Sequence, residues 1–255
     1  MREFIMSREY PVSLVFADTK TLLSLVDAVS SLADDVYINI SEEGLLKIIA
    51  IDPAKVSMIE VEFPQESFLE YKVQRPLRVG ISTKNLSTAM EDVKRQNRVS
   101  LQADEENIEI MIEGIPRRRF LFRSLELPSE EIPRLEIEYP GKASVQPDPF
   151  ASALSDLTAI ANYITFKLDP NMLELREADT QKRYVRLTRE NGSLLESTAS
   201  EEVSADYDAS YLSPISKLVK ISTAVDVWLG SGIPLKLEMG LTPSGKIIYY
   251  LAPRA

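Results

Sequence analysis

The stretch RSLELPSEEIPRLEIEYPG, residues 123–141, lies at the midpoint of the 255-residue chain. Pro128, Pro133 and Pro140 exclude a regular helix or a central strand across it, because proline lacks the N–H that both need. Each also biases the residue before it toward extended backbone. Leu125, Leu127, Ile132, Leu135 and Ile137 make the stretch too apolar for a free linker. It reads as an extended, partly docked strap between two segments of similar length.

Those two segments repeat each other. Leu86 and Leu212, Val93 and Val219, Val99 and Val225, Gly114 and Gly240, and Leu125 and Leu251 are all 126 apart. Leu46 and Leu173, and Asp52 and Asp179, are 127 apart, while Asp18 and Asp148 are 130 apart. Many single matches are generic, but the steadiness of the offset points to a duplication. A period this long implies two like domains rather than a solenoid. The expected division is 1–122, a connector at 123–139, and 140–255.

Hydrophobic residues make up 44% of the chain, enough for each half to bury a core. No run of 18 apolar residues is present, so no membrane span is expected. The first ten residues lack the apolar run of a signal peptide. With no cysteine to form disulfides, the expected location is intracellular, in the cytoplasm and on the nucleoid. The absence of histidine removes the commonest general base and metal ligand. No Walker-type phosphate loop, nucleophile elbow or His/Cys metal cluster is found, so neither cofactor nor metal is expected. Asp52 and Asp179 fall at repeat-equivalent places and could act as a catalytic carboxylate pair. Both follow a strand, however, and Asp52 precedes a proline, so turn chemistry explains them more simply.

Apolar spacing at i, i+3, i+4 and i+7 predicts helices over 18–32, 82–95, 148–161 and 208–222. Asp18 and Asp148-Pro149 read as helix starts, and Pro214 lies near enough the start of the last helix to be tolerated. Alternation predicts strands over 36–40, 45–50, 56–63, 77–81, 98–102 and 108–112. In the second half it predicts strands over 163–168, 173–178, 184–189, 203–207, 225–229, 235–239 and 246–251. The fold class is α+β: two similar domains, each with two short helices on antiparallel sheets.

The outward faces assigned to these helices are rich in Ser, Thr and Lys: Thr19, Lys20, Ser24 and Ser31; Lys84, Ser87, Thr88 and Lys94; Ser152, Ser155 and Thr158; Ser213, Ser216, Lys217 and Lys220. Ser and Thr are poorer helix formers than the Glu and Gln of ordinary solvated faces. The four segments together carry only −1 of the net −10, so most of the acidity lies elsewhere. Two readings fit: a solvated face, which composition alone favours, or a small-polar and Lys surface turned toward a polyanion.

The C-terminal stretch Lys246-Ile247-Ile248-Tyr249-Tyr250-Leu251-Ala252-Pro253-Arg254 closely resembles the last strand and tail of the PCNA family, the sliding clamps of archaea and eukaryotes. Tyr211-Leu212, Ile233-Pro234-Leu235 and Ile132-Pro133 match the family at corresponding places. The resemblance spans residues 10–255 and suggests an archaeal clamp subunit; the residues before Tyr10 depart from it. It implies a trimeric, six-domain ring that encircles duplex DNA without sequence preference and serves as a processivity factor in replication and repair. Lys20, Lys84, Lys94, Arg95, Lys217 and Lys220 would then neighbour phosphates, contacts that position without reading sequence. The implied partners are related clamp subunits, a clamp loader, and polymerase, nuclease and ligase clients bearing short apolar motifs. The resemblance places those motifs at Ile51, Val56, Ile132, Pro133, Pro234, Tyr250, Leu251, Ala252 and Pro253, though Leu251 fits equally well in a core. A clamp-fold scaffold without a role on DNA is the alternative.

In the family, subunits join edge to edge. The matching strands here are 117–123, with Arg117, Arg118, Arg119, Phe120 and Phe122, and 182–189, with Lys182, Arg183, Tyr184 and Arg186. Alternation puts Arg117, Arg119 and Arg123 on one face and Lys182 and Arg186 on one face of the other. Like charges across a strand pair are unfavourable, so a ring with related but distinct subunits is expected. The competing reading is that charged edges only prevent aggregation, while apolar contacts still close a ring of identical copies.

Overall fold

The computed structural model describes residues 9–126 and 137–254. Ile132 and Pro133 of the strap lie outside the described residues, as do residues 1–8.

The first half runs β1 (Val12–Phe16), α1 (Thr19–Leu32), β2 (Asp35–Ile40), β3 (Leu45–Ile51), β4 (Ser57–Pro64), β5 (Phe68–Val73), β6 (Leu77–Ser82), α2 (Thr83–Met90), β7 (Arg98–Ala103), β8 (Asn107–Glu113) and β9 (Arg118–Arg123). The second half runs β10 (Gly141–Val145), α3 (Pro147–Thr158), β11 (Tyr163–Leu168), β12 (Met172–Glu177), β13 (Tyr184–Thr188), β14 (Leu194–Ser197), β15 (Val203–Asp208), α4 (Ala209–Ile221), β16 (Ala224–Leu229), β17 (Leu235–Gly240) and β18 (Lys246–Leu251). Apart from a short 3-10 turn at Gln65–Ser67, helices and strands follow the same order in both halves.

The pairing repeats as well, and every ladder is antiparallel. In the first half β5-β1-β7-β8-β9 form one sheet and β4-β3-β2-β6 another; β14-β10-β16-β17-β18 and β13-β12-β11-β15 are their counterparts. The halves join where β18 pairs with β4, from Lys246 opposite Glu62 to Leu251 opposite Ser57. Two sheets thereby fuse into one of nine strands, while β9 and β13, the counterparts of the joined strands, stay unpaired on one side, as do the outer strands β5, β6, β14 and β15.

Strand alternation turns one row of each sheet into the core, as in β2, where Val36, Ile38 and Ile40 are buried. The helices cover that core in a row, α2 beside α1, α1 beside α4, and α4 beside α3. Asp18 caps α1 by accepting from the amides of Lys20 and Thr21, and Asp208 caps α4 by accepting from that of Ser210. Among the described residues no helix is long and apolar enough to cross a membrane.

Four expectations change. α3 starts at Pro147 with Gln146 as its cap, so Asp148 lies in the first turn, where its charge suits the helix dipole. α2 ends at Met90 rather than 95: Glu91 and Asp92 bring negative charge to the negative end of the dipole, and Asn97 captures the Lys94 amide at 2.8 Å. β1, β5, β10 and β14 were not expected; β10 holds Gly141 and Ala143, and β14 is only four residues long, so neither carries a strong strand signal. Finally, the ladders align Phe122, not Leu125, with Leu251, and Glu113, not Gly114, with Gly240. Identity at a fixed offset had matched generic residues there.

Candidate nucleic-acid surface, partner groove and ring edges

Lys20, Lys84, Lys217 and Lys220 are all exposed on the helix row. Lys94 and Arg95 are exposed too, but in the turn after α2 rather than on it. That turn is tied to the start of α1 by the Thr19 hydroxyl, which donates to the Asn97 carbonyl at 2.7 Å. Thr19 is therefore buried, contrary to its expected outward place. Ser87 is also drawn inward, 2.8 Å from Ser30 across the α1–α2 contact. Ser31 and Ser216 instead donate to carbonyls of their own helices, at 2.9 and 2.8 Å. Lys217 reaches Asp27 at 2.9 Å, an exposed pair of little energetic weight. α3 contributes no Lys or Arg, so the positive charge is carried by α1, α4 and the α2 segment.

Most of the described residues expected to take client peptides lie along the β3-β4-β18 seam. Ile51 lies opposite Met58, which lies opposite Tyr250, so the three residues form one cross-strand row. Ile51, Val56, Pro234, Tyr250, Ala252 and Pro253 are all half-buried. Leu251 is 0% exposed and belongs to the core, because alternation points it opposite to Tyr250. Asp52 shapes the loop between β3 and β4: its carboxylate accepts from the amides of Ala54 at 2.9 Å, Val56 at 2.7 Å and Ser57, and from the Tyr211 hydroxyl at 3.2 Å. The loop so formed receives the tail, with the Ala252 amide donating to the Val56 carbonyl at 2.8 Å. The Arg254 guanidinium stacks over Tyr163 at 4.0 Å and sits 3.6 Å from Asp179. Burial first, then Glu60 and Glu238, raises the Tyr250 hydroxyl above its ordinary value, keeping it a neutral donor.

Farther along the same sheet, sequence reading missed Trp228. Its ring lies 5.9 Å from that of Tyr139 and is flanked by the ammonium groups of Lys142 and Lys236 at 5.0 and 4.9 Å. The only hint was that it is the one tryptophan in the chain.

At the edges the charge is more organised than alternation alone implied. The Arg119 fork grips Glu109 on β8 through two 2.7 Å bonds, and the Tyr10 hydroxyl adds a third at 2.9 Å. On the other edge Arg176 and Arg186 share Glu174 on β12, at 2.7 and 2.6 Å, and both stack on Tyr184. The two carboxylates are only 4% and 3% exposed. Arg119 is thus neutralised, which corrects the picture of a uniformly basic face. Arg118 lies 3.6 Å from Asp92, while Phe120 and Phe122 stack at 6.2 Å and pack against the core. For Arg117, Lys182 and Arg183, no carboxylate ion pair is found among the described residues. Neither Glu109 nor Glu174 stood out in the sequence, since a lone Glu in a strand looks like any outward residue.

These two carboxylates set an acid limit. The hydrogen bond from Arg119 holds Glu109 below its ordinary value. Burial pushes Glu174 up, but hydrogen bonds from Arg176 and Arg186 outweigh it, and the net direction is again down. Carboxyls lowered on folding contribute stability that is complete above the unfolded value near 4.5 and lost as pH falls through the folded values. A Glu109→Gln, Glu174→Gln variant is therefore expected to be less stable than the parent at pH 7, with the gap narrowing toward pH 3. Denaturant midpoints across that range check it; a gap independent of pH would show that the ionised carboxylates are not responsible.

Two like halves sharing one sheet, with a helix row on one side and an open strand edge at each end, are the architecture of a sliding-clamp subunit. Residues 13–131 match the family model described as proliferating cell nuclear antigen, N-terminal domain. DNA polymerase sliding clamp 3 of Sulfurisphaera tokodaii is 33% identical over 87% of this chain and 91% of its own length. DNA polymerase sliding clamp of Pyrococcus furiosus is 28% identical over 96% and 98%. Among solved structures, a chain of the PCNA2-PCNA3 complex from Sulfolobus tokodaii superposes with a TM-score of 0.88, at 30% identity, over 95% of this chain and 99% of that one. The chain belongs to the PCNA family of DNA polymerase sliding clamps.

Proposed function

We propose that the chain is one subunit of a three-membered ring that encircles duplex DNA and tethers a polymerase and other replication and repair enzymes to it. The observation that carries this reading is the exposed lysine set on the helix row, together with the unpaired β9 and β13, counterparts of the β18 and β4 that already join within the chain, on which a ring can close. On this reading the halves are 1–122 and 140–255 with a connector at 123–139, the helix row faces phosphates, and the β3-β4-β18 groove receives client peptides. It works inside the cell, and a clamp loader and nuclease and ligase clients are the expected partners. Its role is that of a tether rather than a catalyst: Asp52 is engaged in shaping a loop and Asp179 lies beside Arg254. The ring is proposed to be mixed, since the open edges keep an excess of Arg and Lys; the Sulfolobus tokodaii structure that superposes on this chain is itself a complex of two different clamp chains.

The lysines supply the test. Replacing Lys84, Lys94, Lys217 and Lys220 together by Ala is expected to shorten residence of the assembled ring on closed circular duplex and to flatten its salt dependence. Each phosphate that is no longer neutralised changes the log–log slope by at most about 0.9, and by less where a sliding ring touches phosphates only transiently. Unchanged salt dependence would leave the ring without a DNA-facing helix row, and equal retention on linear and circular duplex would contradict encirclement.

A further inference from the structure

The duplication means that the chain carries, at its two ends, the two sides of the junction it makes in its own middle. β9 is the counterpart of β18, and β13 is the counterpart of β4. The ladders fix the register of the comparison. Leu45 and Met172 open β3 and β12 and lie opposite Pro64 and Thr188, so Glu62 corresponds to Arg186 and Glu60 to Tyr184. Likewise Ile112 and Met239 lie opposite Arg118 and Ile247, so Arg117, the residue just before β9 and one place beyond its ladder, falls at the position of Lys246 when that register is continued.

In the internal junction Lys246 lies opposite Glu62, with a 3.1 Å ion pair, and Lys47 on β3 bridges Glu60 and Glu62. At the open edges one side of this arrangement is inverted and the other is not. Glu174 stands where Lys47 stands and Arg186 where Glu62 stands, but Arg117 keeps the positive sign of Lys246. Two copies joined in the same register would set Arg117 against Arg186, where the internal junction has Lys against Glu. Arg186 already shares its only carboxylate among the described residues with Arg176.

Resting on the mixed-ring reading, we infer that the neighbours of this subunit are clamp chains with carboxylates opposite Arg117 and Arg186. The edge strand that meets β9 carries an acid where this chain has Arg186, and the edge strand that meets β13 carries one where this chain has Arg117. The pairing register is that of β18 on β4. Partner choice is thereby written as charge at one position on each edge, and like charge excludes self-closure.

Arg117→Glu tests this on the intact chain. Arg117 is exposed, its side chain bonds to the Met111 sulfur at 3.6 Å, and its charge acts on Glu109 only at longer range, so the substitution breaks no direct ion pair among the described residues. It places a carboxylate opposite Arg186 of the next copy. Self-association measured by sedimentation at moderate salt is expected to tighten about tenfold or more relative to the parent, weakening again with added salt. Arg123→Glu makes the same charge change on the same edge, at the far end of β9, but the register sets it beyond the end of β13, and it is expected to leave self-association unchanged. Equal tightening by both variants would overturn the register. No tightening by either, with a parent that is monomeric alone and closes with related subunits, would overturn the pairing but leave the mixed ring standing. A parent that forms a stable trimer alone would overturn the mixed ring itself.

Discussion

Asp52→Ala is expected to lower stability by about 3 kcal/mol, seen as a drop in melting temperature of roughly 6–12 °C for a chain of this size. The side chain is 4% exposed and ends on three backbone amides and the Tyr211 hydroxyl. Alanine leaves those donors without an acceptor; the Ser57 amide is buried and the others only partly so, and a buried donor left unmade costs about 1–3 kcal/mol, less where water can enter. The loss should spread beyond the loop. Tyr211 lies on α4, and its carbonyl accepts from the Tyr249 hydroxyl at 2.9 Å, so one carboxylate ties the first half to the helix and last strand of the second. Asp52→Asn, which keeps one acceptor oxygen, should lose less. Calorimetry checks both; an alanine variant within about 0.5 kcal/mol of the parent would assign the loop's shape to packing instead.

The second large effect concerns client binding. Combining Ile132→Ala with Pro253→Ala is expected to weaken binding of an apolar client peptide by about 2 kcal/mol, or roughly 30-fold in Kd. Pro253 stands half-buried at the end of a tail that is pinned by backbone bonds to Val56 and Asp206, so its ring is presented on a fixed support. A groove of this kind depends on a few buried anchors, and a pre-ordered wall loses little entropy on binding. Leu251→Ala is not an equivalent test, because that residue is core and its loss would destabilise the strand itself. Calorimetric titration of the double variant with unchanged affinity would remove the strap–tail groove as the docking place.

The candidate groove was legible in sequence where its chemistry is local. Tyr250, Ala252 and Pro253 belong to a contiguous motif, and alternation along one strand already separates Tyr250 from Leu251 once the strand is recognised. The cap of α1 was legible for the same reason: Asp18 bonds to amides two and three residues away. α3 misled because Gln146 caps without a side-chain bond, so the nearby Asp148-Pro149 gave the stronger but displaced signal.

By itself the sequence determined two like halves, four amphipathic helices, the alternating strands that carry most of the sheets, and the C-terminal motif. These follow from periodicities of 3.6 and 2 and from self-similarity, which need no knowledge of what lies across a sheet. Only the tertiary structure decided that residue 62 faces residue 246, that Glu109 and Glu174 are buried beneath the edge arginines, and that Arg118 corresponds to Ile247 rather than to a neighbour one place away. The physical reason is that strand pairing joins distant segments, and a slip of one residue would move every side chain to the opposite face. Charge partners across a sheet are therefore settled by register, and register is set by the packing of the whole core rather than by any stretch of chain read alone.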